Sequence, residues 1–215
     1  MADGYVGHWV FWKTVEPVKI LKAEVKGQFG GLQVRSEILH MIGNPAEKNG
    51  EPFDPDYKYL HLTGYELSVF PPFQKTVLVS NQFGEETVEL GQAVFLLMPA
   101  FKSHDPKLPD EKPKGPHFLC YQVMQGPTLE KPVKMSDQFL TQEVEHPRLD
   151  YLGVPVDKNG EGMWNEDVHL AMYGILPVEL NPPITVYVKD QFQKQQQLNA
   201  MRSVFLGVPS KKTVL

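Results

Sequence analysis

The sequence predicts an all-β protein built from four copies of one repeat. The dipeptide Gln-Phe occurs four times, at intervals of 54, 56 and 53 residues. Short apolar runs rich in aromatic and β-branched residues, which are typical of strands, recur with it. Nineteen prolines and 17 glycines are spread over the 215 residues and disfavour long helices. A period of this length has to be established before any single motif is interpreted.

Four further landmarks keep the same period as the Gln-Phe dipeptide. A histidine precedes each glutamine by 20 to 22 positions, and an aromatic residue follows each histidine by four. A proline follows each glutamine by 17 or 18 positions, and a lysine follows each proline by three. In chain order, the repeated positions are His8, His61, His117 and His169; Trp12, Tyr65, Tyr121 and Tyr173; Phe29, Phe83, Phe139 and Phe192; and Lys48, Lys102, Lys158 and Lys212.

Each repeat is predicted to contain three strands. The first holds the histidine and the aromatic residue, which share one face because side chains alternate along a strand. The second ends at Gln-Phe, and the third ends at the proline, which cannot donate to a ladder. A single repeat of about 50 residues is too small to bury a core alone.

The repeats form two pairs. The motif "KNGE" closes the first and third copies at residues 48–51 and 158–161, whereas the second and fourth copies share a double proline. We therefore predict two similar β-sandwich or barrel domains, 1–103 and 116–215, each built from two repeats. Residues 104–115 are predicted to be a Pro-rich linker.

The Gln-Phe positions are interpreted as turns rather than as ligand loops. The residue before each glutamine is Gly27, Asn81, Asp137 or Asp190, and these types accept left-handed backbone or bond their own chain in a turn. The phenylalanine is predicted to be largely buried as part of the core. A ligand loop would have to explain why all four copies carry the motif.

The repeated histidines are interpreted as structural. They occur once per repeat, without a second histidine at metal-ligand spacing. A twofold relation between repeats could still bring two of them together on a metal. We predict no metal and no cofactor. The repeated lysines are expected to protect strand edges, and a repeated binding contact is the alternative.

Five aromatic residues lie between predicted strands and are candidate contacts for a ligand or partner. Aromatic side chains on polar loops stack on sugars or anchor interfaces. The alternative is that they fold back as lids over the ends of the β-structure. They are Phe53, Tyr57, Phe70, Phe73 and Trp164.

Composition argues against several functional classes. The net charge is −5 and no basic cluster is longer than two residues, which disfavours nucleic acid as a partner. No apolar run approaches the roughly 20 residues of a membrane helix. Cys120 lies inside a predicted strand, where an inert buried thiol is usual, and no nucleophile elbow or phosphate loop is present. We therefore predict a protein that is not an enzyme.

The N-terminal segment lacks the features of a signal peptide, and the single cysteine excludes an intrachain disulfide. As written, the sequence favours a cytoplasmic location. An extracellular or surface assembly is expected if a leader has been removed.

The segments "HFLCYQV", "SDQF", "NPAEKNGE", "LTGYELS", "VSNQFG" and "FLLMPAFKS" together resemble a family of tandem-repeat domains of unknown function found in predicted secreted bacterial proteins. The resemblance covers essentially the whole chain. It implies a β-fold and no particular activity. In that family, odd copies usually carry a second cysteine that would pair with the first. Gly43 and Gly153 occupy those positions here, so the implied disulfide is absent.

These observations lead to two functional hypotheses. The first is a non-enzymatic structural or interaction protein, a subunit of a homo-oligomer, filament, shell or larger complex. Its partner would be protein, either itself or a larger assembly. The second is a carbohydrate- or small-ligand-binding module that uses the loop aromatics.

Overall fold

The computed structural model describes residues 7–51, 60–68 and 71–215. The regular secondary structure of these residues consists of β-strands, without a helix. The predicted all-β fold is confirmed. The twelve strands of this part are β1 (His8–Gly27), β2 (Gly30–Lys48), β3 (His61–Leu67), β4 (Lys75–Asn81), β5 (Gly84–Ser103), β6 (Phe118–Val123), β7 (Val133–Ser136), β8 (Thr141–Val144), β9 (Arg148–Lys158), β10 (His169–Gly174), β11 (Glu179–Lys189) and β12 (Gln196–Val214).

Eight strands form a closed antiparallel sheet. Around the sheet the order is β1, β2, β3, β5, β6, β9, β10 and β12, and β12 pairs with β1 to close the ring. Each repeat contributes its first and last strand as neighbours, so the order around the sheet follows the order along the chain. A closed sheet has no open edge within the ring.

The two predicted domains, 1–103 and 116–215, share this sheet. Strand β5 of the first stretch pairs with β6 of the second, and β1 pairs with β12. Two repeats supply only four strands of the ring, so all four repeats are needed to close it. The folded unit is therefore the set of four repeats rather than each pair.

The predicted linker, 104–115, lies against the body of the protein. Nζ of Lys189 donates hydrogen bonds to the carbonyl oxygens of Pro109 and Asp110, at 2.6 and 2.7 Å. Pro113 is buried, and a Cβ added at Gly115 would lie 2.6 Å from the Leu60 side chain. The end of this segment is thus held by close packing.

A dense core fills the inside of the closed sheet. Large side chains point inward from the first and last strands, and glycines on neighbouring strands leave space for them. The Phe11 ring lies between Gly43 and Gly207, where an added Cβ would come within 2.7 and 2.9 Å of ring carbons. The fully buried members of this core include Trp9, Phe11, Met41, Leu62, Leu97, Phe118, Cys120, Leu170 and Met172.

A second and larger core covers the outer face of the sheet. The second strand of each repeat and the start of its last strand form a hairpin, which we call an arm: residues 18–38, 75–90, 133–144 and 184–200 for arms 1 to 4. Trp12, Tyr65, Tyr121 and Tyr173 lie in this outer core, together with apolar side chains of the arms.

Every arm reaches the repeat two places further round the ring. Arm 1 pairs with the end of β9 in repeat 3, and arm 3 pairs with the end of β2 in repeat 1. Arm 2 pairs with β12 of repeat 4, and arm 4 with β5 of repeat 2. The four repeats therefore interlock with fourfold pseudosymmetry.

Candidate functional site

The Gln-Phe turns at the tips of the arms are closed by the residue before the glutamine. Oδ1 of Asp137 accepts hydrogen bonds from the backbone N–H groups of Phe139 and Leu140, at 2.9 and 3.0 Å. Asp190 does the same in arm 4, and Asn81 accepts from the Phe83 N–H at 2.9 Å in arm 2. These side chains bond their own chain as the turn interpretation expects.

The same three side chains also bind the repeated aromatic residue of another repeat. Nε1 of Trp12 donates to Oδ2 of Asp137 at 2.6 Å, and the Tyr65 hydroxyl donates to Oδ2 of Asp190 at 2.5 Å. In arm 2, Nδ2 of Asn81 donates to the Tyr173 hydroxyl at 3.0 Å. Each bond joins a turn to the repeat two places away, which fixes where the arm tip lies.

The four turn phenylalanines pack edge-on against these aromatic rings. Ring centroids are 5.4 Å apart for Phe139 and Trp12, and 5.3 Å apart for Phe83 and Tyr173. Phe29 lies 5.3 Å from Tyr121, and Phe192 lies 6.1 Å from Tyr65. All four phenylalanines are partly buried and pack against the outer core.

A repeated lysine covers the outer face of each turn phenylalanine. Nζ lies 4.3 Å from the Phe139 ring centroid for Lys102 and 5.1 Å from the Phe83 centroid for Lys48. The distances for Lys158 over Phe192 and Lys212 over Phe29 are 4.9 and 4.6 Å. These cation–π contacts account for why the lysines recur. Each lysine comes from the repeat that precedes the arm in the ring.

The repeated histidines are buried beside these lysines. Burial, followed by the charge of Lys48, lowers the pKa of His8 from 6.5 to about 4. Burial, followed by the charge of Lys158, lowers the pKa of His117 to about 4. Burial, followed by the charge of Lys212, does the same for the pKa of His169. Burial places the pKa of His61 well below its ordinary value. All four imidazoles are therefore neutral at pH 7.

We call each assembly of turn, aromatic ring, lysine and histidine a turn cluster, numbered by its arm. Clusters 2 and 4 contain a lysine from "KNGE". Asn49 and Gly50, and likewise Asn159 and Gly160, have positive φ angles between 49° and 81°. This two-residue turn brings the following glutamate back to the lysine.

In clusters 2 and 4 the lysine pairs with that glutamate. The Lys158 Nζ to Glu161 Oε1 distance is 2.8 Å, and the Lys48 Nζ to Glu51 Oε2 distance is 3.7 Å. The turn glutamine then contacts the histidine instead: Gln191 Oε1 lies 3.3 Å from Nε2 of His117. Gln82 contacts His8 through its amide nitrogen, with 2.5 Å between the two Nε2 atoms.

Clusters 1 and 3 lack the glutamate, and here the lysine takes the glutamine. Nζ of Lys102 donates to Oε1 of Gln138 at 2.9 Å, and Nζ of Lys212 donates to Oε1 of Gln28. The odd-even alternation of the sequence thus corresponds to two kinds of turn cluster.

The loop aromatics have different environments. Phe73 is half-buried, with ring centroids 5.1 Å from Phe29 and 4.6 Å from Tyr121, so it packs as a lid over turn cluster 1. Trp164 is 50% exposed, whereas Trp9 and Trp12 are buried. Phe53, Tyr57 and Phe70 lie outside the described residues.

Trp164 borders an open cavity of about 560 Å³, which we call the Trp164 cleft. Its floor is polar and belongs to turn cluster 4, with Gln191, His117 and Glu161. Its remaining wall comes from residues 112–115, just before β6. The lining residues are Lys112, Pro113, Lys114, Gly115, His117, Glu161, Gly162, Met163, Trp164 and Gln191.

A second cavity of about 520 Å³ adjoins turn cluster 2. It lies between the turn at 81–84 and the loop at 127–133. Both Asn81 and Phe83 line it, but Asn81 is already engaged by the Phe83 backbone and the Tyr173 hydroxyl. This turn therefore closes the arm and also forms one wall of a cavity.

Cys120 lies in the inner core and is fully buried. Burial raises the pKa of its thiol, so the thiolate form that a nucleophile requires is disfavoured. In the described residues, no group of three or more His, Cys, Asp or Glu side chains converges in a way that could hold a metal ion.

Sequence reasoning missed three features of these sites. It did not identify Asp137 and Asp190 as partners of aromatic side chains in distant repeats. It assigned Lys112 and Lys114 to a linker, whereas they line the Trp164 cleft. It also missed the hydrogen bond between His40 and Glu66, in which Nδ1 and Oε2 are 2.9 Å apart. The Asn-Gly pair in "KNGE" was an available signal for the lysine–glutamate contacts.

Fold and turn clusters together define an all-β tandem-repeat protein in which four repeats close one sheet. A family model described as a repeat of unknown function, DUF7450, matches residues 61–173, which is just over half of the chain. The protein belongs to this family. The match begins at His61 and ends at Tyr173, both of which are repeat landmarks.

No curated protein and no solved structure matches the chain significantly. Within the described residues, no helix has the length and apolar character needed to span a membrane.

Proposed function

We propose that this protein is a non-enzymatic structural or interaction protein that assembles through the outer edges of its arms. The observation that carries the proposal is a set of four repeat-equivalent strand edges. Among the described residues, segments 30–34, 84–88, 141–144 and 196–200 pair on one side only.

The composition of these edges supports assembly. Their sequences are GGLQV, GEETV, TQEV and QQLNA, without a lysine or a proline. Lysine, proline and other charged residues protect strand edges from pairing. Two edges, 84–88 and 141–144, carry glutamates, whereas 30–34 and 196–200 carry no charge and are suited to adding a strand from another chain.

The contacts that the repeated polar residues make also support a structural role. The turn aspartates, the lysines and the histidines are occupied by contacts between repeats. They stabilise the position of each arm, so the protein presents its edges on a rigid body. Rigid, quasi-equivalent surfaces suit a subunit of a homo-oligomer.

Native mass spectrometry and light scattering across a concentration series test this proposal. We expect concentration-dependent assembly of the wild type, and its loss when one exposed residue on each edge becomes lysine. The edge substitutions are Gln33→Lys, Thr87→Lys, Thr141→Lys and Gln197→Lys. A chain that is monomeric at every concentration would overturn assembly through the edges.

A matched variant controls for the added charge. It carries four lysines at exposed positions outside the four edge segments: Gln74→Lys, Thr76→Lys, Gln122→Lys and Gln125→Lys. We expect it to assemble as the wild type does. If both variants lose assembly equally, net charge rather than edge pairing is responsible.

The Trp164 cleft favours a second candidate, a carbohydrate- or small-ligand-binding module. A half-exposed tryptophan beside a cavity with a polar floor is suited to stacking and hydrogen bonding. Titration with neutral and charged oligosaccharides, followed by tryptophan fluorescence, tests it. Binding should be lost on Trp164→Ala, and an absence of binding to any oligosaccharide removes the candidate.

A further inference from the structure

We infer that the Trp164 cleft binds a saccharide that carries negative charge, either a carboxylate or a sulfate group. The inference rests on the ligand-binding candidate and names the class of its ligand. Three properties of the cleft carry it: an exposed apolar ring, a fixed polar floor and two lysines that have no ion-pair partner among the residues that the structure describes.

Trp164 supplies a surface for stacking. The ring is half-exposed at one wall of the cleft, with Met163 beside it. The apolar C–H face of a pyranose ring packs on an aromatic surface of this kind. At about 560 Å³, the cleft has the volume of a typical small-ligand site.

The polar floor is held in place before any ligand binds. Glu161 is fixed by Lys158 at 2.8 Å, and Gln191 is fixed by His117 at 3.3 Å. A carboxylate has about four acceptor sites and a side-chain amide has two N–H donors. Both groups therefore retain positions for ligand hydroxyls, and ordering them costs little on binding.

The lysines give the cleft its positive charge. Lys112 and Lys114 are exposed, and neither has an ion-pair partner within 4.0 Å among the described residues. Glu161, the single carboxylate among the described residues that line the cleft, pairs with Lys158. The acidic residues just before Lys112 do not line the cleft. An anionic group on the ligand complements this charge.

The two lysines are presented by a fixed backbone. Pro113, between them, is buried, and Gly115 packs closely on Leu60 and Pro99. A lysine pair on a fixed segment binds an anion with less loss of freedom than a pair on a mobile loop.

The experiment is calorimetric titration of the full chain with four probes. They are tetragalacturonate as the carboxylate, a sulfated carrageenan tetrasaccharide, neutral cellotetraose and adenosine monophosphate. We expect at least one charged saccharide to bind about tenfold tighter than cellotetraose. Its affinity should fall as salt is raised, because exposed charges are screened. The better of the two charged probes identifies the anion.

Substitutions in the cleft test whether the charged saccharide binds there. Trp164→Ala, and Lys112→Ala combined with Lys114→Ala, should each weaken the charged saccharide about tenfold or more. The matched controls are Leu176→Ala, another exposed apolar side chain, and Lys22→Ala with Lys75→Ala, two exposed lysines outside the cleft. Both controls should bind as the wild type does.

Contrary outcomes separate the hypotheses. Equal binding of cellotetraose would overturn the charge requirement and leave the ligand-binding candidate standing. No binding of any probe would overturn both. Binding of adenosine monophosphate alone would replace the saccharide with a nucleotide. Charged-saccharide binding that survives Trp164→Ala would place the site elsewhere. Assembly through the arm edges is measured separately and is unaffected by these results.

Discussion

Nε1 of Trp12 donates a hydrogen bond to Oδ2 of Asp137 at 2.6 Å, and thereby joins two residues 125 positions apart in the sequence. Asn44 donates to the same oxygen at 2.9 Å, while Oδ1 of Asp137 closes the turn of arm 3. One carboxylate thus connects the tip of arm 3 to the two ring strands of repeat 1.

Replacement of this carboxylate should destabilise the protein. Asp137→Ala removes the acceptor of two side-chain donors and two turn N–H groups. Because buried donors that lose their partner are costly, we expect a loss of about 3 kcal/mol in the free energy of unfolding, measured by urea denaturation. Asp105→Ala, at an exposed position in segment 104–115, is the control and should change stability by less than about 0.5 kcal/mol. If Asp137→Ala and Asp105→Ala change the free energy of unfolding equally, turn cluster 3 does not have this stabilising role.

The contact between Trp12 and Asp137 marks the limit of what the sequence predicts. Both residues occupy repeat positions, so their structural importance was predictable, as was the turn conformation at Asp137. Their contact was not, because equal spacing between repeats contains no information about which repeats touch. The arm crosses to the repeat two places away, and only the closed ring of strands determines that distance.

The predicted pair of domains illustrates the same limit. Resemblance of odd copies to each other, and of even copies to each other, was interpreted as a duplicated two-repeat unit. In the structure, the alternation distinguishes lysines that pair with glutamate, such as Lys158, from lysines that bind the turn glutamine, such as Lys102. The "KNGE" part of the alternation therefore corresponds to a chemical difference between turn clusters.

Lys102 should make stability rise with pH above neutrality. Burial is the main cause that lowers its pKa from 10.5 to about 7, and Asp137 partly opposes it. The folded protein releases this proton near pH 7, whereas the unfolded chain keeps it until about pH 10.5. Since the unfolded state then binds more protons, the free energy of unfolding increases between these pH values.

Urea denaturation at pH 7, 8 and 9 measures this increase. Lys102→Met keeps most of the apolar stem without the titrating group, so its stability should rise less steeply than that of the wild type. Lys75→Met, on an exposed lysine of β4, is the control and should keep the wild-type slope. An unchanged slope in Lys102→Met would show that other groups dominate this pH range.

The buried histidines should make the protein sensitive to acid. His8, His117 and His169 have pKa values lowered from 6.5 to about 4, chiefly by burial. Between these values the unfolded state binds protons that the folded state does not. Stability is therefore full above about pH 6.5 and falls as the pH approaches 4, by up to roughly 3 kcal/mol per histidine.

A histidine variant separates this effect from general acid unfolding. His169→Gln removes one titrating imidazole, so its stability should fall less between pH 6.5 and pH 4.5 than that of the wild type. His104→Gln replaces an exposed histidine outside the repeat pattern and should behave as the wild type. If His169→Gln loses stability as steeply as the wild type in this range, proton uptake by the carboxylates accounts for acid unfolding.

Gly153 is a position in the inner core at which a cysteine would lie opposite Cys120. It pairs with Cys120 across β6 and β9, and a Cβ added there would lie 3.4 Å from the Cys120 sulfur. Disulfides require the two residues to lie side by side, so Gly153→Cys should form an intrachain disulfide with Cys120 under oxidising conditions, and mass spectrometry should find no free thiol. Gly31→Cys is the control: an added Cβ there meets nothing nearer than 3.9 Å, and its strand partner is Lys26 rather than Cys120, so no intrachain disulfide should form. Two free thiols in oxidised Gly153→Cys would show that strands β6 and β9 do not hold these positions side by side.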